Sequence, residues 1–284
     1  MMDRSDIEKI EVELLLEAIF RRYGYDFRCY ARASIIRQLR QFIEKTGHAC
    51  VSELIPKMLH DAALFQQLLL KLSVTVSSMF RDPSFYQVLR QDIVPLLKTY
   101  PFIRVWIAGC AAGEEAYSVA ILLKEEGLLA RATIYATDIN ERALAAAKEG
   151  IYPLSQVREY TENYQQSGPL DSFSSYYHAA HDRIVMNRDL KQSLTFAKHN
   201  LVSDYVFAEM HLILCRNVMI YFNQELKDRV LRLFDDSLIR GGFLCLGAKE
   251  TLRFSSIDSR YREAEHGGKI YRKRFVAEKD PCPV

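Results

Sequence analysis

What the chain lacks narrows its function first. No two of its six cysteines (Cys29, Cys50, Cys110, Cys215, Cys245 and Cys282) form a CxxC, and no histidine stands at zinc-ligand spacing from a pair. No metal site is therefore expected. Three of these cysteines fall in apolar, strand-like runs, where a free thiol behaves as a small hydrophobe, so reduced thiols and a cytoplasmic compartment are expected. The stretch from Met1 to Lys9 has no apolar signal core, and no apolar run approaches the length of a membrane span. A formal net charge of only +2 supplies no global field for nucleic acid or a membrane surface. There is no internal repeat and no low-complexity tract.

What is present is an ordinary globular composition, 49% hydrophobic and 26% charged over 284 residues, enough to bury a core. Two textures divide it. Val12, Leu15, Leu16, Ile19 and Phe20 recur at helical spacing, as do Ile35, Ile36, Leu39, Phe42 and Ile43 up to Gly47. Residues 54–59 and 65–72 continue as short helices, so 1–78 reads as an all-helical domain. Residues 79–100 read as a linker helix beginning near Pro83. From 101 to 284 strands and helices alternate: strands at 103–108, 133–137, 194–197, 211–214 and 243–247, and helices at 116–125, 141–148 and 224–239. Gly241-Gly242 reads as the stop of the last helix. The stretch 151–191 breaks the rhythm, with one strand-like piece at 183–186, and reads as an inserted β-subdomain at about 155–192. The fold class expected is α/β, a doubly wound, mostly parallel, Rossmann-like sheet with a small helical domain and that insertion.

Chemistry gathers at the carboxyl ends of the expected strands. Residues 105–115, Val-Trp-Ile-Ala-Gly-Cys-Ala-Ala-Gly-Glu-Glu, read as strand, small-residue loop and helix start. The loop is neither GxGxxG nor a P-loop, and Glu114 and Glu115 stand where a phosphate would go. Two carboxylates there favour a cation such as an ammonium or sulfonium; they would equally complement the helix dipole at a plain tight turn. Asp138 ends the second strand about 20–25 residues past the glycine loop, a place suited to holding ribose hydroxyls. It could also cap the next helix, but Asn140 can do that instead. Asn200 and Asn217 follow two later strands, where an amide can read an adenine edge or an amino-acid carboxylate, or make turns.

In order along the chain, five blocks resemble the chemotaxis-receptor glutamate O-methyltransferases, the CheR-type family acting on methyl-accepting chemotaxis proteins. They are Val-Thr-Val-Ser-Ser-Met-Phe-Arg-Asp at 74–82, Trp-Ile-Ala-Gly-Cys-Ala-Ala-Gly-Glu-Glu-Ala-Tyr-Ser at 106–118, Ala-Thr-Asp-Ile-Asn at 136–140 with Gly-Ile-Tyr at 150–152, His-Asn-Leu at 199–201, and Cys-Arg-Asn-Val-Met-Ile-Tyr-Phe at 215–222. The last string is long and specific. The resemblance runs from about Glu11 to Arg274. It implies a Rossmann-like methyltransferase sheet, S-adenosylmethionine as cofactor and S-adenosylhomocysteine as product. By similarity Glu115 would contact the methionine part of the cofactor and Asp138 its ribose. Asn200, Leu201, Arg216 and Asn217 would line the pocket, and Thr75, Ser77 and Arg81 would close it from the linker side. Arg81 and Tyr221 would serve the reaction, Arg81 by steering the acceptor carboxylate; Tyr221 also reads as a core aromatic at a strand end.

The chain departs from the family pattern in places. Thr75, Ser77 and Met79 stand where the family usually has Asn, Thr and Phe; Ala116 replaces a proline, and Lys249-Glu250 a Ser-Glu pair. The first three are polar or volume-keeping changes, compatible with binding. The expected partner is the cytoplasmic helical domain of a methyl-accepting chemoreceptor. Arg32, Arg37 and Arg40 on the second helix offer a docking face for an acidic segment, and read equally as a solvated face. Family members that grip a C-terminal tethering pentapeptide carry a Gly-rich loop in the insertion. The stretch 176–186 has no glycine, so pentapeptide-independent recognition by a monomer is expected. A methyltransferase of the same fold with another substrate, or a cofactor-binding sensor module, remain the alternatives.

Overall fold

The computed structural model describes residues 3–72 and 77–275, and they divide into two compact units. The first unit runs to about residue 75 and also takes 221–229. It holds α1 (Arg4–Tyr23), α2 (Arg32–Thr46), α3 (Leu54–His60) and α4 (Ala62–Leu72). The apolar stripes seen in the sequence form its core: Val12, Leu15, Leu16 and Ile19 meet Ile35, Leu39 and Phe42, with Phe65, Leu68 and Leu69 of α4. Gly47 ends α2 in the left-handed conformation at φ 70°. Tyr23 stacks on Phe65 at 3.9 Å, and its hydroxyl donates to the Met58 carbonyl. Residues 221–223 join this unit by backbone bonds: Ala31 N–H donates to the Tyr221 carbonyl and Asn223 N–H to that of Cys29.

The second unit begins with α5 (Pro83–Val88) and α6 (Val94–Leu97), joined by a π-helical turn over Leu89–Ile93. The expected linker helix is therefore continuous but locally widened. Pro95, which has no N–H for the α-helical ladder, follows that turn directly.

Next come β1 (Ile103–Ala108), α7 (Glu114–Glu125), β2 (Ala132–Asp138) and α8 (Glu141–Glu149). The insertion follows: β3 (Ile151–Pro153), α9 (Val157–Gln166), β4 (Tyr177–Ala180), β5 (Arg183–Met186) and α10 (Arg188–Gln192). The main fold then resumes with β6 (Leu194–Lys198), β7 (Met210–Cys215), α11 (Gln224–Ser237) and β8 (Leu238–Leu246). Two short strands, β9 (Tyr261–Glu263) and β10 (Ile270–Lys273), close the chain.

The main sheet has the order β6-β2-β1-β7-β8-β10-β9, with β6, β2, β1, β7 and β8 parallel, β10 antiparallel to β8 and β9 antiparallel to β10. The insertion is a separate antiparallel sheet, β3-β5-β4. This is the doubly wound, mostly parallel α/β architecture expected. From β1 the chain winds to β2 and β6, then returns to β7 on the other side of β1, so the switch point lies between β1 and β7. Ligands of such sheets lie beyond the carboxyl ends of the strands at that point.

Two readings of the sequence need correction. Gly241-Gly242 does not stop a helix. α11 ends at Ser237, and β8 carries both glycines through an irregularity in its pairing with β7, between Met210 and Leu212. Gly241 takes φ 79° there, and a Cβ on it would collide with Phe275. The connection between β4 and β5 is only His181-Asp182, and His181 adopts φ 55° without being glycine. A glycine-free loop thus does make this tight turn, as His tolerates the left-handed region better than most side chains.

Candidate functional site

The switch point collects the polar residues singled out above. Gly109 leaves β1 at φ 78°, and a Cβ on it would collide with Val218, so glycine is required at this position. Gly109 and Cys110 both donate N–H bonds to the Thr137 carbonyl, tying the loop to the end of β2. Ala111 and Gly113 also lie in the left-handed region, at φ 48° and 93°. The loop is held folded back against β2 before α7 begins.

Asp138 is half-buried at the end of β2. Its Oδ2 accepts from Ala111 N–H at 2.9 Å and its Oδ1 from Asn140 N–H at 2.8 Å. Burial raises its pKa above the ordinary carboxylate value, opposed by the N–H groups of Asn140, Ala111 and Ile139. Asn140 caps α8, its Oδ1 accepting from Arg142 and Ala143 N–H at 3.0 and 3.2 Å. Asp138 is thus freed from capping, as expected. Each of its oxygens keeps acceptor capacity for a further donor.

Across the switch point, Arg216 follows β7 with a side chain only 3% exposed. Its Nη1 donates to Glu115 Oε1 at 2.6 Å, and its Nη2 to Asp82 Oδ2 at 2.8 Å and the Arg81 carbonyl at 3.0 Å. The guanidinium also stacks on Phe85 at 4.1 Å. Burial disfavours its charge, but Glu115, Tyr86 and Asp82 outweigh that, and the net shift is upward. Its Nε meets no partner among the described residues. The pair Arg216–Glu115, 101 residues apart in sequence, is the centre of the site.

Arg81 itself stands in an unusual turn. Phe80 and Asp82 on either side adopt φ 51° and 57°, a conformation that bulky side chains avoid. The turn is pinned from both sides: Phe80 N–H donates to Ser118 Oγ on α7, and Arg216 holds Arg81 and Asp82. The Arg81 side chain is exposed and meets no carboxylate among the described residues.

The two acids of the loop differ in kind. Glu114 is 5% exposed, and burial lifts its pKa to about 7, opposed by its own backbone N–H. Its Oε2 meets no partner among the described residues. Glu115, by contrast, is half-buried and is the acid held by Arg216. One guanidinium, that of Arg216, meets the two carboxylates of Asp82 and Glu115, so this cluster leans negative and suits a cationic ligand.

The remaining residues fall as follows. Asn200 Oδ1 accepts from Val202 N–H at 3.0 Å, the turn chemistry weighed above, leaving its amide nitrogen for a ligand. Leu201 is buried beside it. Asn217 takes φ 62°, and its N–H donates to Glu250 Oε2 at 3.0 Å. Ser77 is half-buried, and Thr75 lies outside the described residues. Tyr221 ends a 3-10 turn over Met219–Tyr221 and groups with the helical unit. On α2, Arg32 and Arg40 pair with Glu13 and Glu8 of α1, and Arg37 is exposed with no carboxylate partner among the described residues.

Sequence reasoning missed Asp82 and Glu250. Asp82 follows Arg81 directly, but only the fold reveals that it shares Arg216 with Glu115. Glu250 Oε2 accepts from both Gly247 and Asn217 N–H, so it fixes the loop after β7.

A seven-stranded sheet wound about a small-residue loop, with an acidic residue ending the second strand, defines the class of S-adenosylmethionine-dependent methyltransferases. The residues present fit that cofactor: a fixed carboxylate for a diol, an acidic cluster for a cation and free amides for a base. Within that class the chain belongs to the CheR methyltransferase family. It matches the family's "CheR methyltransferase, SAM binding domain" over residues 75–267 and its "CheR methyltransferase, all-alpha domain" over residues 10–73. It is 49% identical over 264 residues to "Putative methyltransferase Cher3" of Pseudomonas putida, covering 93% of this chain and 97% of that one. It is 30% identical over 249 residues to a "Chemotaxis protein methyltransferase" of Listeria innocua, covering 87% and 92%. To "Chemotaxis protein methyltransferase 1" of Pseudomonas aeruginosa it is 28% identical over 251 residues, covering 84% and 88%.

Proposed function

We propose that this chain methylates glutamate side-chain carboxylates of methyl-accepting chemoreceptors in the cytoplasm, and so sets the adaptation of their signalling. The observation that carries this reading is the Arg81 turn. A free guanidinium is presented from a strained turn that Arg216 ties to Glu115. The held backbone of this turn supports Arg81 as the receptor for an incoming anion. The family membership and the names of the relatives support the choice of acceptor. No helix among the described residues is long and apolar enough to cross a membrane.

An acceptor glutamate is already ionised at neutral pH, so it needs no general base. S-adenosylmethionine supplies a methyl on a sulfonium, with a neutral thioether as leaving group. The chain's task is to align the reacting atoms and exclude water. Asp138 would hold the ribose diol, while Asn200, Leu201 and Asn217 would enclose the base and the amino-acid end. Glu115, fixed by Arg216, would take the ammonium, with Ser77 closing from the linker. Arg81 would guide the carboxylate by a charge-assisted bond, weak enough to leave an oxygen lone pair nucleophilic. Tyr221 would offer a phenolic oxygen and an aromatic wall.

Recognition would combine this cleft with α2, where Arg37 is free to meet an acidic receptor helix. Tethering by a C-terminal pentapeptide is not needed in this account. The support is the two-residue connection between β4 and β5, too short to build a second wall beside the β4 edge. The reading is tested by incubating the protein with methyl-labelled cofactor and a mixture of receptor-containing membranes, cytosolic protein and nucleic acid. Label is expected on the receptors. Label confined to nucleic acid, small molecules or other proteins would overturn it.

A further inference from the structure

The turn Leu252–Ser255, beyond the carboxyl end of β8, carries an exposed aromatic side chain on a left-handed residue. Ser255 N–H donates to the Leu252 carbonyl at 3.0 Å, and Ser255 Oγ donates to the same oxygen at 2.6 Å, closing a four-residue turn. Its third residue, Phe254, takes φ 66°. That position of a turn with positive φ belongs to glycine or asparagine, because a Cβ there crowds the backbone. Phe254 is also 94% exposed, so packing does not offset the strain. The turn is rigid at its base, since Leu252 and Ile257 on either side are 0% and 1% exposed. A strained, anchored, fully solvated aromatic tip is the form of a group held ready for a partner.

Its surroundings say what partner. Lys249 and Arg253 are exposed, neither meets a carboxylate among the described residues, and the one acid of this stretch, Glu250, is buried. Glu250 binds the backbone of both Gly247 and Asn217, so the tip hangs from the residue that fixes the loop after β7. The tip therefore stands on the same edge of the sheet as the Arg216 site.

We propose that Lys249, Arg253 and Phe254 form a docking lip for the acceptor protein, taking an acidic amphipathic helix next to the carboxylate to be methylated. This rests on the functional reading above, in which the acceptor is a glutamate-bearing helix. Phe254 would enter the apolar seam of that helix, and Lys249 and Arg253 would meet its acidic flank.

The test compares the wild type, Phe254→Gly, Phe254→Asn and Lys249→Glu/Arg253→Glu in steady-state methylation of a receptor cytoplasmic fragment, with thermal melting and calorimetry of S-adenosylhomocysteine. Gly and Asn tolerate the turn, so both variants are expected to fold. Phe254→Gly should melt a few degrees higher than the wild type. Cofactor affinity should be unchanged, while KM for the receptor fragment rises about tenfold or more at similar kcat. The charge reversal should raise KM likewise, and added salt should then lower KM where it raises it for the wild type. A wild type that labels the fragment with KM unchanged in all three variants overturns the lip alone. A wild type that labels no receptor overturns the functional reading, and the lip with it.

Discussion

At Asp138 both carboxylate oxygens are already held by backbone N–H groups, so the side chain arrives at the ligand in a fixed orientation. Replacing it by alanine should weaken S-adenosylmethionine and S-adenosylhomocysteine alike, by about 10- to 100-fold, since bonds to a charged group contribute roughly 1.5–3 kcal/mol. Calorimetry on a folded variant with unchanged affinity would refute the assignment. Arg81 should behave in the opposite way. Arg81→Ala should retain cofactor affinity and lose kcat by about 100-fold, the order seen when one preorganised donor to a reacting centre is removed. Normal receptor methylation by that variant would reduce Arg81 to a structural part.

Glu114 gives a pH signature. Its carboxyl is held up at about 7 by burial, against an ordinary value of 4.5. The folded state therefore binds the proton more tightly than the unfolded chain. Its stabilising share is complete below pH 4.5 and is lost as pH rises through 7, with a ceiling of about 3 kcal/mol. Glu114→Gln should flatten this decline, and should be more stable than the wild type at pH 8. Denaturant midpoints measured between pH 5 and 8 check it; parallel curves for the two proteins would count against it. How far the sequence revealed such residues follows from distance along the chain. Asn140 as a cap was legible because its partners lie two and three residues away. The Arg216–Glu115–Asp82 cluster was not, because only the sheet order brings 82, 115 and 216 together.

Among the elements, β1 with its loop and α7 was the most legible, since a short apolar run followed by small residues and a helical pattern has few other solutions. The loop's glycines have separate reasons. Gly109→Ala would force a Cβ into Val218 at φ 78°. It should destabilise the fold by about 2 kcal/mol or more and abolish cofactor binding, because the loop cannot stay against β2. A variant with wild-type melting and wild-type affinity would show that the loop yields. The element read wrongly was the end of α11. Glycine serves a helix stop and a strand bulge through the same freedom at positive φ, so Gly241-Gly242 could not choose between them. β9 and β10 went unseen for another reason: three- and four-residue strands at a sheet edge carry too little periodicity to register.

For the whole molecule, two families of contact would decide which receptors are served: the helical unit through Arg37, and the catalytic unit through its cleft and the lip at Phe254. Neither needs a peptide grip on the insertion. C-terminal receptor pentapeptides titrated into the purified protein should therefore show no micromolar binding at residues 176–186. Such binding there would mean that the free edge of β4 recruits a peptide despite its short turn. The central claim is narrower than any docking route. It holds that the acceptor atom is a carboxylate oxygen, which attacks the methyl carbon without help from a base. The most direct measurement is the chemical stability of the bond formed. Receptor labelled from methyl-labelled cofactor is treated with mild alkali and the volatile product collected. A methyl ester releases the label as methanol, which is the result this account predicts. Label that survives alkali on the protein, as a methylated nitrogen would, contradicts it.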